Sequence, residues 1–228
     1  TFMKQGGIPY CCGYGLTECS PLVTFSSMEK QKMGSPGHAI SDVSIRITDP
    51  EPATGIGEIL IKGPNVMKGY YKNEEATRKV FTADGWFITG DRGYLDKDGF
   101  LFITGRSKNV IVGPSGENIY PETIEAKLLE SIYVEEALVY MLEGQMVARI
   151  FPNYAYIESI EGDRAEGAVA RAISEILEDV RKEVNAKLPA FARISRVIEQ
   201  SAPFIKTPTN KIKRGEYVPG YLDKEKGQ

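Results

Sequence analysis

The sequence contains few of the side chains that bind transition metals. Its 228 residues include a single histidine, His38, and three cysteines, Cys11, Cys12 and Cys19. The cysteine count is odd and no Cys-x-x-Cys pair occurs, so the sequence indicates neither a disulfide framework nor a tetrahedral zinc site. We interpret the cysteines as small, reduced side chains. A nucleophilic pair of cysteine and His38 has no local support in the sequence.

A surplus of one charge and long apolar runs are missing as well. The chain has 28 basic and 31 acidic residues, whereas a nucleic-acid-binding protein normally has a basic surplus, so we expect no nucleic-acid partner. No apolar run approaches the roughly 20 residues of a membrane-spanning helix. No signal sequence opens the chain, and we therefore expect no transmembrane segment and a cytoplasmic location. Hydrophobic residues make up 42% of the sequence, which is enough for a packed core and excludes disorder for most of the chain.

Glycine and proline divide the first half of the sequence into short segments. The apolar run 8–12 predicts a buried strand that ends in a turn. Alternation of apolar and polar residues at 43–47 and the run 58–62 predict two further strands. The turn residues 96–99 separate two apolar runs and predict a β-hairpin. Residues 34–105 are therefore expected to form a small β-rich subdomain.

Beyond residue 105 helical and strand patterns alternate. The segment 121–129 predicts a helix with Pro121 in its first turn. Two strands, 137–142 and 147–151, are expected to pair through a tight turn, and 193–199 predicts a final strand. Apolar residues recur at helical spacing and predict a longer helix with Asp163 as a cap and Pro189 as a stop: Val169, Ile173, Leu177, Val180, Val184 and Leu188. Helices between a few strands indicate a compact α+β domain.

The segment 13–18 has a composition suited to binding a nucleotide. Glycines at 13 and 15 let the backbone approach a ligand, and the ring of Tyr14 can stack on a flat base. Thr17 and Glu18 offer oxygens to phosphate and magnesium. The alternative is an ordinary glycine-rich turn with Tyr14 packed in a core.

Three further segments carry charged groups at defined positions. Asp91, after Thr89 and Gly90, can accept hydrogen bonds from two ribose hydroxyls, although turn aspartates are common. Residues 105–108, with Arg106 and Lys108, lie where the composition changes and can form either a hinge that touches a nucleotide or a solvated linker. The Thr-Pro-Thr sequence before Lys211 can fix the direction of one cation; the alternative is a solvated basic patch.

Taken in order, these segments resemble the adenylate-forming enzymes, which include acyl-CoA synthetases, luciferases and the adenylation domains of peptide synthetases. GYGLTECSP resembles the adenine-facing loop of that family, and GEILIKGPNVMKGYY resembles its barrel signature. GWFITGDRGYLDKDGFLFITGRSKNVIVGPSGENIYPETIE is similar to the ribose motif, the hinge and the loop that follows, and KTPTNKIKR to the terminal lysine motif. The segments ECSP, GENIYPETIE and KTPTxKIKR are most similar to the corresponding segments of bacterial long-chain fatty acid–CoA ligases.

The resemblance implies an α+β fold in two domains. Residues 1–104 would be the C-terminal end of a large adenylation domain with a small β-barrel-like subdomain, 105–108 a hinge, and 109–228 a mobile α+β lid domain. The phosphate loop of the family lies upstream of GYGLTE, and no GxxxxGK[ST] segment occurs here. We therefore expect the chain to be the C-terminal part of a longer enzyme, to need the missing N-terminal part as a partner, and to be nearly inactive alone.

The resemblance also implies the reaction. A small-molecule carboxylic acid would react with ATP and Mg²⁺ to give acyl-AMP and pyrophosphate, and coenzyme A would then displace AMP to give a thioester of fatty acid metabolism. Two alternatives stay open. One is an adenylating ligase that passes its acyl group to a carrier protein or another acceptor, and the other is a non-catalytic module that binds nucleotide or a partner domain.

Residue by residue, the resemblance assigns nucleotide binding to the first segments. Tyr14 would stack on adenine beside Gly15, and Thr17 would bind the adenylate phosphate as one of the catalytic residues. Glu18 would be a second catalytic residue and would hold Mg²⁺. Asp91 and Arg106 would bind the ribose.

The remaining assignments concern the lid domain. Lys211 would be the catalytic cation of the first step, and Lys108 would be the hinge residue. The loop 112–118, with Gly116, would line the coenzyme A tunnel. Asn210 departs from the family pattern, in which many members have glycine before the lysine.

Overall fold

A computed structural model describes Met3 and residues 6–161 and 166–221 of the chain, with only the backbone given for residues 161 and 166–170. The chain forms two compact units, Thr1–Ser107 and Lys108–Gln228. Both units contain β-sheets and helices, so the predicted α+β class is confirmed. The described helices include none with the length and apolar composition of a membrane span.

The first unit begins with a three-stranded antiparallel sheet in the order β1-β2-β3, formed by Cys12–Gly15, Leu22–Ser26 and His38–Ala39. The predicted strand at 8–12 is wrong, because β1 starts at Cys12 and Ile8 is 43% exposed. Cys12 pairs with Ser26, the last residue of β2, and the buried Ser26 hydroxyl bonds both the amide and the carbonyl of Cys12. The strand therefore begins where its partner ends.

A four-stranded antiparallel sheet completes the first unit, in the order β4-β5-β6-β7. Its strands are Ser44–Thr48, Gly57–Lys62, Phe87–Leu95 and Leu101–Arg106, and the short helix α1, Glu74–Lys79, lies between β5 and β6. The predicted hairpin is confirmed, with the Asp96 carboxylate accepting the amides of Asp98 and Phe100 in its turn. Among the described strands β4 and β7 are edges, so the subdomain expected to be barrel-like is an open sheet.

The core of the first unit joins both sheets to the loop between β1 and β2. A single-turn helix, Thr17–Cys19, follows β1, and its last residue, Cys19, is fully buried. Cys19 belongs to one cluster of buried side chains with residues of β2, β5, β6, β7 and the segment before β4: Val23, Val43, Ile59, Ile61, Phe87 and Leu101. Thr17 and Glu18 are thereby attached directly to the core.

The second unit contains a three-stranded sheet in which β10, Val134–Leu142, is antiparallel to β11, Gln145–Pro152, and β12, Arg196–Glu199, is parallel to β11. The predicted turn between β10 and β11 is confirmed, and both of its central residues, Glu143 and Gly144, have positive φ angles, as a tight hairpin requires. The other elements of the unit are the two-stranded hairpin Ile111–Val112 (β8) and Asn118–Ile119 (β9), and the helices Pro121–Leu128 (α2), Tyr154–Glu161 (α3) and Glu166–Ala186 (α4).

The helices of this unit cover the sheet through apolar faces. Helix α2 begins at Pro121, as predicted. On α4 the predicted apolar residues from Ile173 to Val184 are buried against the sheet, while Leu188 lies beyond the end of the helix but is also buried. The cap predicted at Asp163 lies outside the described residues.

Candidate functional site

Asp91 is the centre of a small polar cluster in the first unit. It lies on β6 and is only 6% exposed. The hydroxyl of Tyr14 donates a hydrogen bond to Asp91 Oδ2 at 2.5 Å, and Arg106 Nε lies 3.4 Å from Asp91 Oδ1. Arg106 is the residue directly opposite Asp91 on β7. The fold thus brings together three residues that the sequence assigned to adenine and ribose.

The backbone at Asp91 is held by a neighbouring side chain. Thr89 Oγ1 accepts the amide of Asp91 at 3.0 Å and donates to the carbonyl of Ile59 on β5 at 2.8 Å. The carboxylate therefore projects from a strand. Asp91 is not an ordinary turn aspartate, which was the alternative interpretation.

Tyr14 remains a hydrogen-bond donor throughout the physiological range. Burial of the phenol raises the pKa of Tyr14, and the negative charge of Asp91 raises that pKa further. A neutral hydroxyl donating to a carboxylate makes a charge-assisted hydrogen bond, which is stronger than one between neutral groups. The ring of Tyr14 is half-buried and packs against the core cluster of the first unit.

Gly15 lies where the chain leaves β1 and passes very close to the start of β2. A Cβ atom at this position would lie 1.8 Å from the carbonyl oxygen of Pro21, so no other residue fits without moving the backbone. The amide of Leu16 donates to the same oxygen at 2.8 Å. This close approach ends the strand and starts the single-turn helix that carries Thr17 and Glu18.

Cys19 holds this helix in the core and has no catalytic environment. Burial raises the pKa of the Cys19 thiol to about 11, and the negative charge of Glu18 adds to the effect. A thiol with a raised pKa is a poor nucleophile at neutral pH. Cys11, Cys12 and Cys19 are all free cysteines.

Glu18 presents a partly exposed carboxylate whose Oε1 accepts the hydroxyl of Tyr70 at 3.0 Å. Thr17 beside it is exposed. Across the part of the chain that the structure describes, no group of three or more His, Cys, Asp or Glu side chains could hold a metal ion alone. Mg²⁺ in nucleotide sites usually takes one or two carboxylates together with phosphate oxygens and water. A single accessible carboxylate of this kind fits such an ion, although not a site built of protein ligands only.

In the second unit Lys211 lies in a tight hairpin. The amide of Thr207 donates to the carbonyl of Lys211 at 2.8 Å, and the amide of Lys211 donates to Thr207 Oγ1 at 3.2 Å. Asn210 has a φ angle of 61°, a left-handed conformation that asparagine tolerates better than most residues other than glycine. Asparagine at this position therefore retains the backbone geometry for which glycine is usually needed.

Both flanks of this hairpin are fixed by ion pairs. On one side Lys206 Nζ lies 2.5 Å from Glu136 Oε1. On the other side the guanidinium of Arg214 makes two contacts with the carboxylate of Glu125, at 2.6 and 2.7 Å, and donates to the carbonyl of Val139 at 3.1 Å. Lys211 itself is exposed, and its ammonium has no hydrogen-bond acceptor among the described residues.

The other two predicted residues of the second unit are Lys108 and Gly116. Lys108 is the first residue of the unit, and its ammonium lies 5.6 Å from the centre of the Tyr221 ring. Gly116 lies in the turn between β8 and β9 with a φ angle of 89°, and no heavy atom lies within 4 Å of the Cβ it lacks. In this conformation glycine is required by the backbone angle and not by lack of space.

Sequence reasoning missed two residues that contact the predicted site. Tyr70 bonds Glu18, and Glu58 on β5 accepts a hydrogen bond from the hydroxyl of Ser107, the last residue of the first unit. Burial raises the pKa of Glu58. A glutamate within an apolar strand was a visible signal for Glu58, whereas nothing local in the sequence connects Tyr70 with Glu18.

Comparison with known proteins gives one family. Residues 1–71 match the AMP-binding enzyme family. The chain is 31% identical over 254 residues to the probable acyl-activating enzyme 16 of Arabidopsis thaliana, covering 96% of the chain and 34% of that protein. It is 39% identical over 174 residues to the 2-succinylbenzoate–CoA ligase of Geobacillus kaustophilus, covering 74% of the chain and 35% of that protein. The chain thus spans about a third of the length of these relatives.

Solved structures agree with the sequence comparison. The O-succinylbenzoate coenzyme A synthetase MenE from Bacillus subtilis, in complex with AMP, is 29% identical with a TM-score of 0.73 over 95% of this chain and 42% of that one. ATP-bound MatB from Rhodopseudomonas palustris is 28% identical, also with a TM-score of 0.73, over 95% of this chain and 41% of that one. On sequence and fold together, the chain belongs to the AMP-binding family of adenylate-forming enzymes.

Proposed function

We propose that this chain is the C-terminal part of an AMP-forming ligase that activates a carboxylic acid with ATP and transfers the acyl group to coenzyme A. The observation that carries the proposal is the cluster of Tyr14, Asp91 and Arg106 in the first unit. These residues are far apart in sequence, and the sequence predicts a contact with the nucleoside for each of them. In this proposal the first unit is the end of the adenylation domain, residues 105–108 are the hinge, and the second unit is the lid domain.

The cluster has the chemistry that a nucleoside needs. A carboxylate has about four lone-pair positions, so Asp91 can accept ribose hydroxyls while it keeps its contacts to Tyr14 and Arg106. The half-buried ring of Tyr14 offers a flat surface to adenine, and the close-packed backbone at Gly15 leaves no side chain in the way. Arg106 would orient the carboxylate and donate to the ribose.

In the first half-reaction a carboxylate oxygen of the acid attacks the α-phosphorus of ATP. The bond to the bridging oxygen of pyrophosphate breaks, and acyl-AMP remains. Thr17 would donate a hydrogen bond to the α-phosphate, and Lys211 would stabilise the negative charge that increases there in the transition state. Glu18 would hold Mg²⁺ together with phosphate oxygens, and the ion would reduce the repulsion between the phosphates and the incoming carboxylate.

In the second half-reaction the sulfur of coenzyme A attacks the acyl carbonyl carbon, the thiol proton leaves to solvent, and AMP departs. We assign to Lys108 the change of backbone angles that separates the two steps. Gly116, with its positive φ angle, would allow its turn to approach the pantetheine arm closely.

For the acid we propose a long-chain fatty acid. Support comes from the ECSP, GENIYPETIE and KTPTxKIKR segments and from 41% identity over 138 residues to the long-chain-fatty-acid–CoA ligase FadD15 of Mycobacterium bovis. An aromatic acid is the second candidate, because the 2-succinylbenzoate–CoA ligase of Bacillus velezensis is 47% identical over 139 residues.

A carrier protein is the alternative acceptor, since a chloroplastic long-chain-fatty-acid–[acyl-carrier-protein] ligase of Arabidopsis thaliana is 30% identical over 97% of this chain. We propose the cytoplasm as the location, to which three free thiols are suited.

The test is the reaction of the full-length gene product with ATP, Mg²⁺ and a series of acids from acetate to palmitate, with 2-succinylbenzoate included. Coenzyme A and a phosphopantetheinylated carrier protein are offered as separate acceptors, and AMP and thioester are measured. We expect the highest rate with long-chain acids and coenzyme A, and no pyrophosphate exchange by the 228-residue chain alone. A folded full-length protein that forms no acyl-AMP with any acid would contradict the proposal.

A further inference from the structure

The loop after β5 forms several hydrogen bonds to the single-turn helix that carries Glu18. The side-chain amide of Asn65 donates to the carbonyls of Cys19 and Leu22 at 3.0 and 2.8 Å. The amide of Met67 donates to the carbonyl of Glu18 at 2.7 Å. The hydroxyl of Tyr70 then reaches the Glu18 carboxylate. Three bonding residues of one loop thus hold the backbone and the side chain of the same short helix.

Tyr70 is itself held by residues outside this helix. The backbone amide of Tyr70 donates to Thr77 Oγ1 at 2.9 Å. The hydroxyl of Thr77 in turn donates at 2.8 Å to the carbonyl of Asn73, the residue that caps α1. The position of the Tyr70 backbone is therefore set by α1 and does not depend on Glu18.

We propose that Tyr70 is a positioning residue for Glu18: its hydroxyl occupies Oε1 and leaves Oε2 as the oxygen that Glu18 offers to Mg²⁺ on ATP. This inference rests on the proposed function. A partly exposed glutamate side chain has several rotamers of similar energy, and selecting one of them costs conformational entropy when the ion binds. A hydrogen bond from a donor that is already fixed selects that rotamer in advance.

The experiment measures binding of Mn²⁺, as a probe for Mg²⁺, to the full-length enzyme by electron paramagnetic resonance. α,β-Methylene-ATP is present, because its carbon bridge cannot be cleaved and no reaction interferes. Tyr70→Phe removes one hydroxyl and keeps the ring, and we expect it to weaken Mn²⁺ binding roughly tenfold, the lower end for loss of a hydrogen bond to a metal ligand. Tyr71→Phe is the matched control, since Tyr71 is 87% exposed, and it should bind Mn²⁺ like the wild type.

A double-substitution cycle separates positioning of Glu18 from a general structural effect. In a Glu18→Ala background, which removes both carboxylate oxygens, Tyr70→Phe should cause no further loss of Mn²⁺ affinity. The inference is overturned if Tyr70→Phe binds Mn²⁺ as tightly as the wild type, or if its effect persists in that background. If the wild type itself neither binds Mn²⁺ with the nucleotide nor exchanges pyrophosphate, the proposed function fails first and the inference with it.

Discussion

Asp91 shows how a single residue depends on side chains that are distant in sequence. Its buried carboxylate receives a hydrogen bond from Tyr14, 77 positions earlier, and Arg106 lies across the strand pair. Removal of one partner leaves a buried charge with fewer donors, which costs more free energy than the bond itself contributes.

Tyr14→Phe is therefore predicted to lower the free energy of unfolding of the first unit by about 1–3 kcal/mol. Urea unfolding followed by Trp86 fluorescence measures it, since Trp86 is the single tryptophan and lies in this unit. Tyr94→Phe is the control, because the Tyr94 ring stacks on Phe102 and its hydroxyl has no hydrogen-bond partner among the described residues. Equal effects of the two substitutions would show that the bond to Asp91 contributes no stability.

Glu58 gives the first unit a dependence on pH. Burial raises its pKa in the folded protein, so the folded state favours the protonated carboxyl. The resulting stability is fully present below the ordinary pKa of glutamate and is lost as the pH rises through the raised value. Glu58→Gln keeps an acceptor for Ser107 but cannot ionise.

The unfolding free energy of Glu58→Gln relative to wild type should therefore increase from pH 4 to pH 7. Urea titrations at several pH values with Trp86 as the probe measure this difference. Glu75→Gln, at an exposed position on α1, should show no comparable change. A difference for Glu58→Gln that stays constant with pH would mean that burial does not govern this group.

At the scale of elements, residues with strong local conformational preferences correctly predicted two turns and the start of a helix. Turn residues at 96–99 and at Glu143 and Gly144 marked two hairpins, and Pro121 marked the start of α2; all three are present. The start of β1 was missed because the hydroxyl of Ser26 on the partner strand sets it. The contact of Tyr70 with Glu18 could not be predicted either, because it joins residues 52 positions apart in sequence.

The candidate site was likewise predictable only in its parts. The sequence supplied Tyr14, Asp91 and Arg106 as residue types suited to a nucleoside, but their contacts follow from the pairing of β6 with β7 and the packing of β1. The roles assigned to these residues stay predictions until binding is measured.

The hairpin of Lys211 depends on the ion pair between Arg214 and Glu125, 89 positions apart. Both side chains are largely buried, with 12% and 13% exposed. Glu125→Gln would replace the carboxylate by a neutral amide with a single acceptor oxygen, so the positive charge of the guanidinium would keep only a weaker contact to the Glu122 carboxylate at 3.7 Å and the carbonyl of Val139.

We predict that Glu125→Gln destabilises the second unit by roughly 3 kcal/mol, as expected when a buried pair loses one partner. Amide hydrogen exchange in β10 reports on this unit and should become faster. Glu130→Gln is the matched control, because Glu130 and Lys187 form an exposed pair at 3.8 Å that should contribute less than about 1 kcal/mol. Unchanged exchange in Glu125→Gln would show that Arg214 does not need this carboxylate.

For the whole molecule, the two units carry different parts of the proposed chemistry. The cluster of Tyr14, Asp91 and Arg106 lies in the first unit, whereas Lys211 and Gly116 lie in the second, which begins at Lys108. The two half-reactions should therefore respond differently to substitutions, because Lys211 is assigned only to adenylation and Lys108 to the change between the steps.

In the full-length enzyme, Lys211→Ala should slow acyl-AMP formation by about a hundred- to a thousandfold, the scale for removing one donor from a developing negative charge. It should leave thioester formation from supplied acyl-AMP nearly unchanged. Lys108→Pro restricts the backbone at the proposed hinge and should slow the second step more than the first. Pyrophosphate exchange measures the first step, and release of AMP from acyl-AMP and coenzyme A measures the second.

Lys213→Ala, at an exposed cation two positions away from Lys211, is the control. If Lys211→Ala and Lys108→Pro reduce both half-reactions equally, one arrangement of the enzyme performs both steps and the hinge assignment is wrong.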